Sequence, residues 1–142
     1  MAFSSAIGLG SRLDAAIAEA AEQLGEGTGG PGFDLAVAFV STAYGSAIER
    51  LPQLLRPHVG DALVIGCNAG GLIGGGSEEE EEPGVALLCG RLPEAAITCR
   101  HLEQSSLPPL AAPRERWWSL LDLPPEADAS FMLLADLSLI HI

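Results

Sequence analysis

Apolar and polar positions fall into two rhythms along this chain. Leu13, Ala16, Ile17, Ala20 and Leu24 recur at helical spacing on one face. Ser11, with Asp14 three residues on, makes a capping-box-like start for that helix. The run GEGTGGPG, with Gly27, Gly29, Gly30, Pro31 and Gly32, is expected to end it. FDLAVAFVS (33–41) is apolar on both faces and predicts a buried strand. YGSAIERLPQLLRPHVG (44–60) predicts a second helix, broken or restarted near Pro52 and finished by Pro57 and Gly60. DALVIG (61–66) predicts the next strand. GVALLCGRLP (84–93) and AAITCRHLE (95–103) predict two adjacent antiparallel strands linked tightly at Pro93–Glu94. A Pro- and Ser-rich loop (104–115), a short helix (114–123) and a last strand, SFMLLAD (130–136), complete the chain.

That order is helix, strand, helix, three strands, helix, strand. It predicts a layered α/β domain with a mixed, partly antiparallel sheet flanked by helices. The doubled strands in the middle argue against a plain doubly wound fold. No internal repeat is visible, and no apolar run is long enough to span a bilayer.

Composition narrows the function classes. The 142 residues suit a single domain with a real core. Nineteen acids stand against seven bases, a net charge of −12. Such a field repels phosphate backbones and argues against nucleic acid as a partner. All seven bases are arginine, a coding bias expected of a GC-rich microbial genome. Cys67, Cys89 and Cys99 are odd in number and form no C-x-x-C pair, which points to a reducing cytoplasm. Cys89 and Cys99 sit in apolar strand patterns and are expected in the core. The N-terminus lacks the basic start and apolar run of a secretory signal.

The chemistry concentrates in VIGCNAGGLIGGGSEEEEEPGVALLCG (64–90). A P-loop needs a lysine for the terminal phosphates, and this chain has none. The dinucleotide pattern G-x-G-x-x-G does not occur there either. Cys67, Cys89, Cys99, His58 and His101 show no zinc-ligand spacing. Glu78–Glu82 is a plain acidic run, unlike an interleaved calcium loop, and predicts a solvated loop. No metal or cofactor is therefore expected.

Cys67 follows a strand beside glycine amides, where a thiolate can be stabilised. His101 and Asp136 are candidates to complete a catalytic triad with it, and such triads are defined by geometry rather than chain order. The alternative is a non-covalent pocket. Glycines after a strand let backbone N–H groups approach a ligand, and open α/β sheets bind outside the carboxyl ends of their strands. Ser41 and Thr42, then Gly66, Cys67, Asn68, Ala69, Gly70 and Gly71, and finally Asp136 offer such groups. They share one rim if their strands are parallel. The plainer alternative is that the glycines merely shape a loop.

DLAVAFVS followed by ALVIGCNAGGLIGGGSEEEEEPGVALLCGRLP resembles the N-terminal part of the FIST family, named for F-box and intracellular signal transduction. The resemblance is specific from Phe33 to Leu92 and weaker from Ser11 and out to FMLLAD. It implies a small-ligand sensory module rather than an enzyme, with amino acids or their derivatives as ligands and a signalling protein as partner. It also implies a C-terminal FIST part that this chain lacks. On that reading residues 1–136 are an incomplete N-terminal FIST-like domain. The family usually continues with Asp-Pro-Phe, whereas Asp136 is followed by LSLIHI (137–142). One codon choice for that tail matches a transposon-based sequencing adaptor. Adaptor read-through is therefore the expectation for 137–142, and His141 carries no functional weight. Paired Trp117 and Trp118 on a short helix can anchor an interface where the missing half would pack or where a partner docks, and ordinary packing is the favoured alternative; one is expected in the core and the other half-exposed.

Overall fold

A computed structural model describes residues 1–28 and 32–135. Asp136 and the tail 137–142 lie outside them. The chain divides into two compact units, Met1–Ile97 and Thr98–Ile142.

The first unit is built on a four-stranded sheet that is mixed and partly antiparallel, as the sequence predicts. Its elements are β1 (Ala2–Leu9), α1 (Leu13–Thr28), β2 (Leu35–Ser41), a 3-10 helix (Thr42–Arg50), α2 (Leu51–Val59), β3 (Leu63–Ala69), β4 (Leu72–Gly74), β5 (Ser77–Glu79) and β6 (Gly84–Arg91). The strand order is β1-β6-β2-β3. β6 runs antiparallel to both of its neighbours, and β2 and β3 are parallel. β1, β2 and β3 therefore point the same way, and their carboxyl ends form one rim.

One face of the sheet carries both helices. Every apolar position of the α1 stripe, from Leu13 to Leu24, is buried, together with Leu51, Leu55 and Val59 of α2. They meet Ala6, Ala36, Ala38, Val40, Val85, Leu87 and Cys89 from the sheet. The small residues on β1 and β2 let the helices lie close. Gly8 takes this to its limit: a Cβ there would stand 1.9 Å from the Ala16 carbonyl oxygen of α1. On the other face the β4–β5 hairpin seats Leu72 against Ile7 and Ala86. Gly75 (φ 57°) and Gly76 (φ 82°) form its tight turn in the left-handed region that glycine adopts freely.

Several boundaries differ from the sequence expectation. β1 was not expected; Ala2–Leu9 pairs residue for residue with β6. The segment 95–103 forms no strand. Both edges of β6 are already taken by β1 and β2, so the chain cannot fold back onto it as a hairpin. α1 runs through Gly25 and Gly27 to Thr28. In its first turn the Asp14 carboxylate accepts from the Ala15 N–H, while no capping bond from Ser11 occurs among the described residues. α2 begins with Pro52 in its first turn, as expected, but Pro57 lies inside it and only Gly60 ends it. The break before α2 is Gly45, whose φ of 54° interrupts the helical path. Ser77–Glu79 is a strand, so the acidic run starts in β5 and only its remainder is loop.

In the second unit the short helix forms as α3 (Arg114–Leu121). Trp118 meets Phe131 edge to face at 6.2 Å, and the Arg114 guanidinium lies 4.1 Å from the Trp118 ring centre. Trp117 and Trp118 are both half-buried, so neither is the core residue expected of the pair. Ser130–Ala135, the described part of the expected last strand, pairs with no other strand.

The Gly8 contact is backbone against backbone and has no flexible end to yield. Gly8→Ala should lower unfolding free energy by at least ~1–3 kcal/mol, the usual overpacking cost. Gly70→Ala, where an added Cβ meets nothing within 4 Å, should be close to neutral. Denaturant midpoints of the two variants check this; equal midpoints would refute the contact.

Candidate functional site

The parallel pairing of β2 with β3 brings part of the expected rim together. Ser41 and Ala69 are register partners at the ends of their strands. Thr42 and Gly70 follow them into solvent, and both are exposed. Ser41 is half-buried, and its Oγ accepts from the Ala43 N–H at 3.3 Å, which caps the 3-10 helix. Gly71 opens onto the Glu80 side chain, whose Cγ would be 3.4 Å from an added Cβ.

Cys67 and Asn68 are placed differently from the expectation, while Gly66 lies in the strand as 61–66 predicts. β3 continues to Ala69, so Cys67 and Asn68 lie within the strand and not in a turn beyond it. The reason is the unbroken register with Ala38, Phe39 and Val40 of β2. Gly66, Cys67 and Asn68 are all exposed on the sheet's edge strand. Gly66 is required by that neighbour: a Cβ there would lie 2.3 Å from the Ala38 carbonyl oxygen. Its close approach is to β2 rather than to a ligand.

The thiols differ sharply. Cys67 and Cys99 are exposed and Cys89 is buried, all three unpaired. Cys99 thus lies outside the core, contrary to its apolar sequence context, because 95–103 joins no sheet. Burial pushes the Cys89 thiol up to about 11. His101 belongs to the second unit, Cys67 to the first, and Asp136 lies outside the described residues. No group of three or more His, Cys, Asp or Glu residues able to hold a metal ion occurs among the described residues.

A cleft the sequence did not announce opens on the same rim. It measures about 350 Å³ and is lined by Ser11, Arg12, Leu13 and Asp14 after β1, and by Ala43, Tyr44, Ala47, Arg50 and Leu54 after β2. The Tyr44 hydroxyl donates to the Gly10 carbonyl oxygen at 2.6 Å and ties the two sides together. Burial raises the Tyr44 phenol above its ordinary value, which keeps it a donor. Arg12 Nη2 lies 2.5 Å from Asp14 Oδ2. That hydrogen bond holds the Asp14 carboxyl below its usual range, so it stays ionised in mildly acidic solution. Arg50 is exposed at the other side. Two guanidinium groups and one carboxylate thus make a locally positive cleft in a strongly acidic protein. No sequence signal joined the two arginines, since Arg12 follows a strand the residues did not announce and Arg50 lies nine residues past the end of β2.

A second concavity of about 250 Å³ runs beside β1 and is lined by Glu19, Gln23, Glu78 and Glu79 among others. Glu19 accepts from the Leu9 N–H at 2.7 Å, and Gln23 donates to the Ile7 carbonyl oxygen at 2.9 Å. Those side chains are occupied with the strand. Glu79 likewise accepts from the N–H groups of Glu81 and Glu82, which hold its carboxyl low.

No protein-family profile and no curated protein matches the chain. No helix among the described residues is long and apolar enough to cross a membrane.

Iodoacetamide should alkylate Cys67 and Cys99 in the folded chain and reach Cys89 only after denaturation, because the buried thiol is both shielded and protonated. Intact-protein mass spectrometry should show two adducts under native conditions. Three would mean that the β6 core opens readily.

Proposed function

We propose that this chain is a small-ligand-binding sensory module of intracellular signal transduction, and that it binds a small anionic or zwitterionic molecule in the cleft between Arg12 and Arg50. The observation that carries this reading is the charge of the cleft. Arg50 presents an exposed planar donor suited to a carboxylate, and across the cleft Arg12, bonded through Nε and Nη2 to Asp14, offers a charged pair for the opposite end of a zwitterion. That pattern fits an amino acid or a close derivative. The place agrees with the chemistry, since open α/β sheets bind ligands outside the carboxyl ends of their strands. The FIST resemblance supports the same reading, and it implies that the bound state is passed on through contacts with a signalling protein.

In this reading the protein binds and does not catalyse. The expected rim residues Ser41, Thr42, Ala69, Gly70 and Gly71 extend the binding surface beside the cleft, while Cys67 serves no nucleophilic role. The three free thiols favour a cytoplasmic setting.

Thermal melting of the full chain against a panel of free amino acids tests the proposal. A true ligand should raise the melting temperature by mass action, equivalent to ~2.7 kcal/mol at a hundred times its Kd. Arg50→Ala should abolish that shift without lowering the ligand-free melting temperature, since Arg50 is exposed. Arg116→Ala in the second unit should leave it intact. No shift with any member of the panel, or an undiminished shift in Arg50→Ala, would sink the reading.

A further inference from the structure

Two parts of the fold are each half of a β-pairing, and each lacks its partner. The first is the outer edge of β3. The Leu63 N–H donates to the Asp34 carbonyl oxygen at 3.0 Å, which turns residue 63 toward β2. Strand alternation then directs the N–H and C=O groups of Val64, Gly66 and Asn68 outward. β3 pairs only with β2, and Gly66 and Asn68 are exposed. No charged side chain occurs anywhere in Leu63–Ala69. Native edges are usually blunted by charge, proline or a bulge. The opposite edge shows such protection, because Glu19 and Gln23 occupy the Leu9 N–H and the Ile7 carbonyl of β1. Among the described residues the β3 edge has no equivalent.

The second is the segment Phe131–Leu134. It is apolar throughout, carries no charge and joins no ladder among the described residues. Its residues are 60%, 55%, 79% and 37% exposed, the longest run of exposed large apolar residues among those described. Consecutive apolar exposure of this kind marks an interaction segment.

We propose that the chain self-associates by strand addition, with Phe131–Leu134 of one copy pairing onto the free β3 edge of a second copy. Main-chain bonds to Val64, Gly66 and Asn68 supply the affinity, and the donor's alternate side chains fall on the two faces of the extended sheet. A second copy is the occupant because this chain carries both halves. Both halves are also uncharged, and that suits two molecules that repel through a net charge of −12 each. Salt screens that repulsion, so association should strengthen as ionic strength rises. A basic partner protein would show the reverse dependence.

Sedimentation of the full chain over a wide concentration range tests this. The mass should rise above the 14.7 kDa monomer. Asn68→Pro removes an outward N–H while leaving the bonds to β2 intact, and should return the protein to monomer. Leu133→Lys places a charge in the donor and should do the same. Mixing the two variants should restore a dimer, because each keeps the half the other has lost. A misfolded variant could not give that rescue. A wild-type chain that stays monomeric at every concentration overturns the proposal. So does persistent association of Leu133→Lys, which would mean that β3 pairs with β3. Two monomeric variants with no rescue on mixing overturn it equally.

Discussion

The antiparallel strand β6 is the constraint on which the first unit depends. β1 and β2 run parallel but do not touch, and β6 lies between them and supplies the ladder to both. Val85, Leu87 and Cys89 face the helices while Ala86 faces the β4–β5 hairpin, so one strand joins both layers. Its insertion also sets the dimensions of the rim. The carboxyl ends of β1 and β2 are held two inter-strand spacings apart, roughly 10 Å. A cleft opens over that gap because β6 begins there rather than ends. The same insertion closes both edges of β6 and leaves the following segment no place in the ladder beside it.

Much of this was legible in the residues. The α1 stripe is a clean helical period, and all of its members are buried. β2 and β6 are apolar on both faces because the sheet is covered on both faces where they run. β1 was illegible for a physical reason. Ser4, Ser5 and Gly8 weaken its apolar signal, and its place rests on non-local pairing and on a helix backbone pressed against a missing side chain. The β4–β5 hairpin was hidden too, since a glycine turn and a glutamate run read as loop. Phe131–Leu134 shows the converse, an apolar run read as a strand that joins no ladder among the described residues.

The candidate site divides in the same way. The parallel strands were legible, and their register brings the strand ends Ser41 and Ala69 together. Glycine was the misleading signal. Gly66 looked like room for a ligand, whereas its missing side chain accommodates a carbonyl of the neighbouring strand. The arginines of the cleft carried no local motif, and only the topology brings Arg12 and Arg50 to one concavity. The disparity between the two sheet edges was equally unreadable, because the groups that guard β1 come from α1.

The packing at Gly8 has an evolutionary corollary. Every single-base change that alters a glycine codon introduces either a stop or a residue with a Cβ. At most positions some of those replacements pass unnoticed. At Gly8 each would drive an atom into the Ala16 carbonyl of α1, so no first mutational step is neutral while the helix stays where it is. A lineage can vary this position only after Ala16 and its turn have moved. Gly8 and the helix resting on it therefore change together or not at all.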